Sequence, residues 1–342
     1  MTLAGLFSSS SVSPSPLGRW LKPAVGAALT LATASAFAQT QMKIATVVWI
    51  GYGPFYVADA LDLYKKQKLK VSLQVFSDPA LIPAAIASGA VDGGMLTYDQ
   101  VVGQVAGGKA MKVVMPIDYS NGGDAIVADG SISKVTDFKG KKVGYNPLSP
   151  SDFLLSYALK TVNLSEKDIN PVSMTPEAVP AAMASGALPI GVTYEPSLSQ
   201  VLGQGGGKKF KVVFSSKDAP GLIADVLVFD DKVIKAKPTE ITGIMKAYLD
   251  GLAYMKAKPD DAAKIIGKFM GVSAKEAKEQ MSGVYNIPLA EMPKAFVKAK
   301  ETTSYYASGE IIGQLLVAKG QIKTAPATEA TFDASLVKAL AK

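Results

Sequence analysis

Five acidic side chains fall near predicted strand ends or chain crossings, where they are best placed to do chemistry. They are Asp99, Asp118, Asp124, Asp152 and Glu195. Taken singly, each is typical of a helix cap or a hinge hydrogen bond. Together they predict an acidic cleft. No Lys or Arg occurs at a comparable position, so this cleft favours an amine, guanidinium-like or amino-heterocycle ligand over an inorganic oxyanion.

Aromatic side chains form a second candidate group. Trp49, Tyr52 and Phe55 lie in a Gly-Pro loop after the first predicted strand. Three aromatic residues around glycine favour a stacking wall for a planar or cationic ligand. Packing in the core is the alternative for each of them.

A helix start supplies a third group. Ser149, Pro150, Ser151 and Asp152 open a predicted helix, with Ser149 or Ser151 as its N-cap. The free N–H groups of that turn also suit an anionic or carbonyl oxygen. A zwitterion would use both this helix and the acids.

The absence of His and Cys excludes several chemistries. A Cys/His zinc or iron site has no ligands, a Ser-His-Asp triad has no base, and disulfides cannot form. Carboxylate or Tyr catalysis and a Mg²⁺ or Ca²⁺ site stay open, although we expect no cofactor and no metal. The segment Gly103–Lys109 has P-loop spacing, but Ala110 stands where the Mg²⁺-binding hydroxyl is needed.

The composition is that of a folded protein. The chain has 342 residues, 48% of them hydrophobic and 19% charged, which suggests about two domains. Its net charge of +7 comes from lysines dispersed among acids. We therefore expect no nucleic-acid partner, because the concentrated basic patch is missing.

The first 38 residues are predicted to be a secretory signal peptide. Arg19 and Lys22 precede an apolar run over Ala24–Ala34, and Ala36–Ala38 supplies the A-x-A pattern before Gln39. A membrane anchor is the alternative, but the run has about half the length that a spanning helix needs. We expect a soluble periplasmic protein without a lipid anchor.

Short apolar runs alternate with Ala-rich helical patterns, which predicts an α/β fold with largely parallel sheets. The predicted strands are Lys43–Trp49, Leu69–Phe76, Gly93–Thr97, Lys112–Ile117, Lys142–Tyr145, Asn170–Met174, Gly191–Tyr194 and Lys211–Phe214. The predicted helices are Pro54–Lys66, Pro79–Ser88, Asp99–Ala106, Asp152–Thr161 and Glu177–Ser185. After Phe229 only helices are predicted, at Thr239–Lys256, Asp260–Phe269, Ala274–Ser282 and Pro293–Ser308.

An internal near-repeat indicates two equivalent lobes. Pro83–Ala90 and Pro180–Ala187 each predict a helix with a Gly stop, followed by a short strand. The strands lead to Thr97, Tyr98 and Asp99 in one copy and to Thr193, Tyr194 and Glu195 in the other, which is one residue shorter. Because ligands of open α/β sheets bind beyond the carboxyl ends of strands, we expect these ends to face each other across a cleft.

Several segments, in this order, carry a family resemblance. They are Trp49–Phe55, Ala87–Gly94, Asp118–Asp124, Phe138–Gly144 and Tyr194–Pro196. The sequence resembles the periplasmic solute-binding proteins of ABC importers of the nitrate/sulfonate/taurine and thiamine-precursor type, the SsuA/THI5-like (NMT1) family. The resemblance spans Lys43 to about Phe229.

The resemblance implies a type II periplasmic binding protein fold: two α/β lobes with a hinge and a ligand cleft, and a C-terminal helical segment. Crossings near Asp118–Asp124 and Ala224–Phe229 put residues 39–122 plus 226–342 in lobe one and 123–225 in lobe two. Asn121 and Asp225 lie in these crossings and join the ligand-binding candidates. The chain departs from the family at Asn146–Ser151, where relatives usually have Gly-Ser.

We therefore expect a monomeric, non-enzymatic receptor for a small polar, nitrogen-containing solute, either an amine, a zwitterionic aminosulfonate or a pyrimidine. It would deliver this ligand to an inner-membrane ABC permease with its cytoplasmic ATPase. Two alternatives stay open: an enzyme of the same fold that uses cleft carboxylates as acid and base, and a periplasmic sensor or structural protein. Some relatives make a thiamine pyrimidine precursor with an active-site His, which this chain lacks.

Overall fold

The computed structural model describes residues 39–342. The predicted signal peptide, residues 1–38, lies outside these described residues. The strands are Thr40–Thr46 (β1), Leu69–Val75 (β2), Gly93–Thr97 (β3), Met111–Ser120 (β4), Asp124–Asp129 (β5), Lys142–Tyr145 (β6), Asn170–Ser173 (β7), Ile190–Tyr194 (β8), Phe210–Ser215 (β9), Ala224–Asp230 (β10) and Val284–Asn286 (β11).

The helices cover both sheets and make up most of the C-terminal third. They are Gly53–Ala60 (α1), Leu63–Lys66 (α2), Ile82–Ala87 (α3), Tyr98–Ala106 (α4), Pro150–Thr161 (α5), Val179–Ala184 (α6), Ser197–Leu202 (α7), Asp231–Ala236 (α8), Pro238–Ala257 (α9), Pro259–Met270 (α10), Ala274–Gln280 (α11), Tyr305–Ala318 (α12) and Ser335–Leu340 (α13). Within residues 39–342, none of them is long and apolar enough to cross a membrane.

The strands form two separate mixed sheets. The first has the order β11-β4-β10-β3-β1-β2 and the second the order β7-β6-β8-β5-β9. Strand β1 is parallel to β2 and β3, and β6 is parallel to β7 and β8. Strands β10 and β5 run antiparallel to their neighbours. The predicted α/β fold is confirmed, but the prediction of largely parallel sheets is wrong, because β5 and β10 lie inside them in the opposite direction.

The chain passes between the sheets twice. It leaves the first sheet after Ser120 and enters the second at Asp124, and it returns between Ser215 and Ala224. The predicted second crossing at Ala224–Phe229 is wrong, because these residues pair with β3 and β4 as strand β10. The two passages are joined, since the Ser120 and Ser216 hydroxyls lie 2.8 Å apart. Paired passages of this kind suit a hinge, and the division into lobes at 39–122 plus 226–342 and 123–225 stays a proposal.

The near-repeat forms the same supersecondary unit in each sheet. Helices α3 and α6 are each followed by a glycine with φ near +75°, Gly89 at +74° and Gly186 at +77°, a conformation that favours glycine. Strands β3 and β8 follow, and every residue of both is buried. The predicted helix, Gly stop and strand are therefore confirmed in both copies.

The register of the two copies differs from the prediction. Five residues separate helix from strand in each copy, so Thr97 and Tyr194 occupy the same position at the end of their strands. The predicted equivalence of Asp99 and Glu195 is wrong by one residue. A shift of one residue along a strand moves a side chain to the other face of the sheet. Thr97 and Tyr194, and not Asp99 and Glu195, are therefore the equivalent residues of the two sheets.

The C-terminal part is mostly as predicted, with two corrections. Helices α9, α10 and α11 confirm the first three predicted helices. The fourth is wrong: Met292–Phe296 is a 3₁₀ turn, and the helix begins only at Tyr305, capped by Ser304, and ends at Ala318. The short strand β11 was also not expected; it pairs with β4 across Asp118–Ser120.

Candidate functional site

A small cavity of about 20 Å³ lies between the two sheets, at the carboxyl ends of β1, β3 and β8. Ligand sites of α/β sheets are found at such strand ends. The first sheet and its loops contribute Val47, Trp49, Tyr52, Pro79, Met95, Leu96, Thr97, Gln100, Ile223 and Asp225 to the lining. The second sheet and its helices contribute Asp124, Pro150 and Tyr194.

Aromatic rings from both sheets meet at this cavity. The Trp49 and Tyr194 rings pack edge to face, with centroids 5.8 Å apart and ring planes at 87°. The hydroxyl of Tyr52 donates to Asp225 over 2.5 Å. The hydroxyl of Tyr194 is buried and has no hydrogen-bond partner among the described residues. An unpaired buried hydroxyl costs about 1–3 kcal/mol, so this one is free to bond a ligand.

Two glycines allow Trp49 to occupy its place. The indole Nε1 donates to Asp118 Oδ1 over 3.3 Å. A Cβ on Gly51 would lie 2.3 Å from Asp118 Oδ2 and 2.4 Å from Trp49 Nε1. A Cβ on Gly123 would lie 2.5 Å from the indole ring. Both positions must lack a side chain for the ring and the carboxylate to pack as they do.

Two buried carboxyl groups face each other on neighbouring strands. Asp118 in β4 is the register partner of Asp225 in β10, and their exposed fractions are 0% and 4%. Burial raises the pKa of both carboxyls above the ordinary value, and the charge of Asp118 raises that of Asp225 further. Because two neighbouring buried carboxyl groups disfavour a charge on each other, the pair favours one shared proton.

Two further buried acids, Asp124 and Asp99, influence each other, and Asp124 also lies near the pair. Burial raises the pKa of Asp124 to about 7, and the nearby charges of Asp99 and Glu195 add to the effect. Burial likewise raises the pKa of Asp99 to about 6, against a hydrogen bond from Thr97. The predicted acidic cleft is thus present as a set of carboxyl groups that burial holds partly protonated.

Basic groups do not offset these acids. Lysine is the only strongly basic residue type after residue 38. Among the described residues, the charged groups that shift the pKa of Asp118, Asp124 and Asp225 are all acids. In the same part of the chain, no three acidic side chains converge closely enough to hold a metal ion. The cavity therefore has a negative field with no cation of its own.

A second cavity, of about 240 Å³, adjoins the first between α4, α5 and the end of α12. Asp99, Ser149 and Asp152 line it. Lys319, directly after α12, forms ion pairs with Asp152 and, over 2.5 Å, with Glu166. The lysine side chain is 11% exposed. Helix α12 packs on α4 of the first sheet, and α5 packs on the second sheet. This ion pair therefore joins the two halves of the molecule, each half being one sheet with the helices that pack on it.

The structure brings most of the predicted site residues to the two cavities. Six line the first cavity: Trp49, Tyr52, Thr97, Asp124, Tyr194 and Asp225. Asp118 does not line this cavity, but its carboxylate accepts a hydrogen bond from Trp49, which does. The second cavity takes Asp99, Ser149 and Asp152, and Ser149 is the N-cap of α5, accepting from the Ser151 N–H over 3.2 Å.

Five predicted residues lie away from both cavities, namely Phe55, Tyr98, Asn121, Ser151 and Glu195. The Phe55 ring packs in the core, 4.7 Å from that of Tyr248. The Tyr98 ring stacks 4.3 Å from that of Tyr305. Glu195 accepts from the Ser199 hydroxyl over 2.8 Å, and Asn121 is exposed in the first passage between the sheets. The hydroxyl of Ser151 is buried in α5 without a partner among the described residues.

Gln100 is a site residue that the sequence analysis missed. Its side-chain amide donates to the carbonyls of Pro79 and Leu148, each over 3.2 Å. Pro79 lies in a loop of the first sheet and Leu148 before α5 of the second, so this amide bridges the halves between the two cavities. The available signal was the capping box formed by Thr97 and Gln100 at the start of α4.

The sequence and the fold both have known relatives. The family model described as "NMT1/THI5 like" matches residues 49–262. The periplasmic aliphatic sulphonate binding protein SsuA from Escherichia coli superposes with a TM-score of 0.70 at 19% identity, over 87% of this chain and 99% of that chain. The periplasmic nitrate-binding protein NrtA from Synechocystis PCC 6803 gives a TM-score of 0.68 at 13% identity, over 88% of each chain.

One structural neighbour is an enzyme. The desulfurization enzyme DSZB superposes with a TM-score of 0.61 at 11% identity, over 88% of this chain and 98% of that chain. At such identities the likeness shows the fold, which is that of the periplasmic binding proteins. What the cavity binds has to be argued from its own side chains.

Proposed function

The chain belongs to the NMT1/THI5-like family, and from this premise we propose that it is the substrate-binding protein of an ABC importer. It captures a small polar, nitrogen-containing solute in the periplasm, as a monomer, and delivers it to an inner-membrane permease driven by a cytoplasmic ATPase. The names of the sulphonate- and nitrate-binding neighbours support the importer role.

One observation carries the proposal. The cavity is walled from both sheets by groups that fit a small polar solute: the Trp49 and Tyr194 rings, the Asp124 and Asp225 carboxyls, and the unpaired Tyr194 hydroxyl. The cavity of about 20 Å³ has room for about one water molecule, so the two sheets must separate before a solute can enter. Contacts from both sides mean that a ligand stabilises the arrangement in which the sheets are close together.

Closure follows as a population shift. The contacts that now join the halves include the edge-to-face packing of Trp49 and Tyr194, the hydrogen bond from Gln100 to Leu148, and the bonds from Lys319 and Gln321 to Asp152. A ligand that touches both halves adds free energy only to the closed state, so it raises that state's population. The closed surface would then dock on the permease.

The side chains favour a solute with nitrogen over a simple oxyanion. Acids line the cavity, and the one buried lysine near it, Lys319, is already held by two carboxylates. A sulfonate or carboxylate group on a zwitterion would have to use the N–H groups at the start of α5, where Pro150 lines the cavity. Amines, zwitterionic aminosulfonates and aminopyrimidines all satisfy this pattern.

The test is a thermal-shift screen followed by small-angle scattering. Amines, aminosulfonates, aminopyrimidines, alkanesulfonates and nitrate are added to the purified protein at about a hundredfold their expected Kd, where binding adds about 2.7 kcal/mol. We expect a nitrogen-containing solute to raise the melting temperature and to reduce the radius of gyration. Failure of every class to do both would contradict the proposal.

A second candidate function is an enzyme of the same fold. The DSZB neighbour and the raised pKa values of buried carboxyls, about 7 for Asp124 and about 6 for Asp99, favour it, because a general acid or base works best with a pKa near the operating pH. A turnover assay distinguishes the two functions. Mass spectrometry of a stabilising solute incubated with the protein should show it unchanged, whereas a new product would support the enzyme.

A further inference from the structure

We infer that the ligand carries a positively charged nitrogen, and that this cation replaces the proton shared by Asp118 and Asp225 when it enters the cavity. The inference deepens the proposed function and rests on it, because it assigns the ligand class and the charge exchange to the same site. Protonated amines, amidines and guanidines belong to this class, as do quaternary ammonium ions.

The arrangement of the carboxyl pair favours a cationic ligand. Asp118 and Asp225 are opposite each other on antiparallel strands and almost completely buried. Asp118 Oδ1 accepts from Trp49, whereas Oδ2 is buried and has no hydrogen-bond partner among the described residues. Two buried carboxylates without a cation between them are strongly unfavourable, so the empty site keeps a proton that a cationic ligand makes unnecessary.

The second argument is independent of the acids. The hydroxyl of Tyr194, a cavity residue only 4% exposed, has no partner among the described residues. Its ring and that of Trp49 meet at right angles, which gives two aromatic surfaces at one end of the cavity. Aromatic faces attract a desolvated cation, and the free hydroxyl can accept from an N–H group.

The titratable groups that face the pair from each side are all acidic or phenolic. Asp124 faces it from β5, Tyr52 from the turn before α1, and Tyr248 from α9. Burial raises the pKa of both tyrosines well above the ordinary value, so both stay neutral. Thus the proton on the pair is the charge that changes near neutral pH, together with that of Asp124.

The exchange balances as follows. The empty site holds one carboxylate and one carboxylic acid in the pair, with a net charge of −1. The bound site holds two carboxylates and one ligand cation, again with a net charge of −1. The displaced proton passes to solvent. Binding therefore releases about one proton for each cation bound, and affinity increases as pH rises through the range in which the empty pair is protonated.

The experiment uses three pairs of probes that share a shape and differ in charge. They are guanidinium and urea, tetramethylammonium and tert-butanol, and butylammonium and butanesulfonate. Binding is measured by thermal shift and calorimetry, and proton release by pH-stat titration in unbuffered saline, since amine and sulfonate buffers resemble the probes. We expect at least one cation to bind at least tenfold more tightly than its partner, with release of about one proton.

Two variants on one strand provide the controls. Asp225→Asn removes the exchangeable proton and should lower the affinity for the bound cation at least tenfold while abolishing proton release. Asp230→Asn changes the same residue type at the far end of β10, where the side chain only caps the Lys232 N–H over 2.8 Å. It should change neither quantity. If Asp225→Asn does not fold, the probe pairs and the proton count on the wild-type protein still decide the question.

Three outcomes overturn the inference: a neutral or anionic probe that binds as tightly as its cationic partner, a bound cation that releases no proton, and a lack of binding by every cation at about 10 mM, a concentration that would detect even millimolar affinity. A neutral or anionic solute that stabilises and compacts the protein would leave the proposed function intact while overturning the cation. Binding of MgCl₂ in place of the organic cations would overturn the ligand class.

Discussion

Asp118 is the buried residue on which the proposed exchange of a proton for a ligand cation depends. It is fully buried, and only one of its two carboxylate oxygens accepts from a described N–H group, that of Trp49. It lies opposite Asp225, which lines the cavity together with Asp124. Such groups reduce the stability of the empty protein, and they are retained at sites that exchange protons or bind charge.

The first prediction concerns the pH dependence of stability in the absence of ligand. Burial raises the pKa of Asp124 from 3.8 to about 7, so the folded protein binds more protons than the unfolded chain between these values. Stability then falls as pH rises through this window. We expect the melting temperature to drop by at least about 4 °C between about pH 5 and pH 8, since 1 kcal/mol shifts it by about 2–4 °C in domains of comparable size.

The variant Asp124→Asn tests the cause of that drop. It removes one titrating group and should make the dependence of melting temperature on pH less steep. Asp129→Asn, at the far end of β5, keeps all the buried acids and should follow the wild type. Equal slopes for Asp124→Asn and the wild type would show that Asp124 titrates normally.

The second prediction concerns Tyr194. The variant Tyr194→Phe removes a buried hydroxyl that has no described partner, so the melting temperature of the empty protein should stay the same or rise. The affinity for the ligand should fall about fivefold to tenfold, because a hydrogen bond to the ligand is lost.

Tyr64→Phe is the matched control for Tyr194→Phe. The Tyr64 hydroxyl is also buried but donates to the Phe55 carbonyl over 3.3 Å, away from the cavity. This variant should lose stability by about 1 kcal/mol and keep its affinity. A stability loss in Tyr194→Phe with unchanged affinity would mean that the Tyr194 hydroxyl is structural.

Side chains whose role depends on local position were predictable, and those that depend on distant partners were not. Trp49 and Tyr52 follow β1 directly and reach the cavity as the Gly-Pro loop suggested. Phe55 already lies inside α1, so its ring turns into the core. Lys319 finds its partner Asp152 far away in the chain, and no spacing rule indicates such a pair.

The passage between the sheets is the element that holds Trp49 in place. A Cβ on Gly123 would lie 2.5 Å from the indole ring and 2.9 Å from the Gly283 carbonyl. We therefore expect Gly123→Ala to displace the ring, to change its fluorescence and to lower ligand affinity at least tenfold. Trp49 is the only tryptophan after residue 38, so the signal has one source once residues 1–38 are absent.

Gly130→Ala is the matched control for Gly123→Ala. A Cβ there meets no atom within 4 Å, so fluorescence and affinity should equal those of the wild type. An unchanged tryptophan spectrum in Gly123→Ala would show that the ring and the passage are not in tight contact.

The end of α12 is the element that fastens the closed arrangement. Lys319 is buried between Asp152 and Glu166, and loss of one partner of a buried ion pair costs about 3–5 kcal/mol. We expect Lys319→Met to enlarge the radius of gyration of the ligand-free protein and to weaken ligand binding. Small-angle scattering and calorimetry measure the two effects.

Lys278→Met is the comparison for Lys319→Met. Lys278 pairs with Asp260, but both side chains are more than half exposed, and such a pair contributes about 0–1 kcal/mol. It should change neither size nor affinity. A Lys319→Met protein with the dimensions of the wild type would show that the ion pair does not control closure.

Elements with a strong local pattern were predicted well, whereas elements defined by their neighbours were not. Strands β3 and β6 occur at the predicted residues, because apolar runs with clear Gly boundaries mark them. Strands β5 and β11 escaped prediction, since pairing with β9 and β4 makes them strands. The one-residue error in the near-repeat arose because the two copies were aligned on the shared Thr-Tyr-acid sequence. The number of residues between helix and strand, which is equal in both copies, gives the correct alignment.

At the scale of the whole molecule, the chain passes twice between two sheets that border one cavity, which is the arrangement that the proposed closure requires. The fold is that of the periplasmic binding proteins, and it also serves an enzyme. The distinction between binding and catalysis therefore rests on what happens to a solute in the cavity. If closure is a population shift, it should depend on the contacts that a ligand makes with both sides of the cavity.

Native mass spectrometry of the protein purified from a periplasm tests the central claim most directly. The account predicts a monomer that holds one small molecule, with a nitrogen-containing formula and a mass identical to that of the free solute after release. Asp225→Asn should retain much less of it, and Asp230→Asn should retain as much as the wild type. A protein that never holds a small molecule, or one that releases it chemically altered, would contradict the assignment as a binding protein.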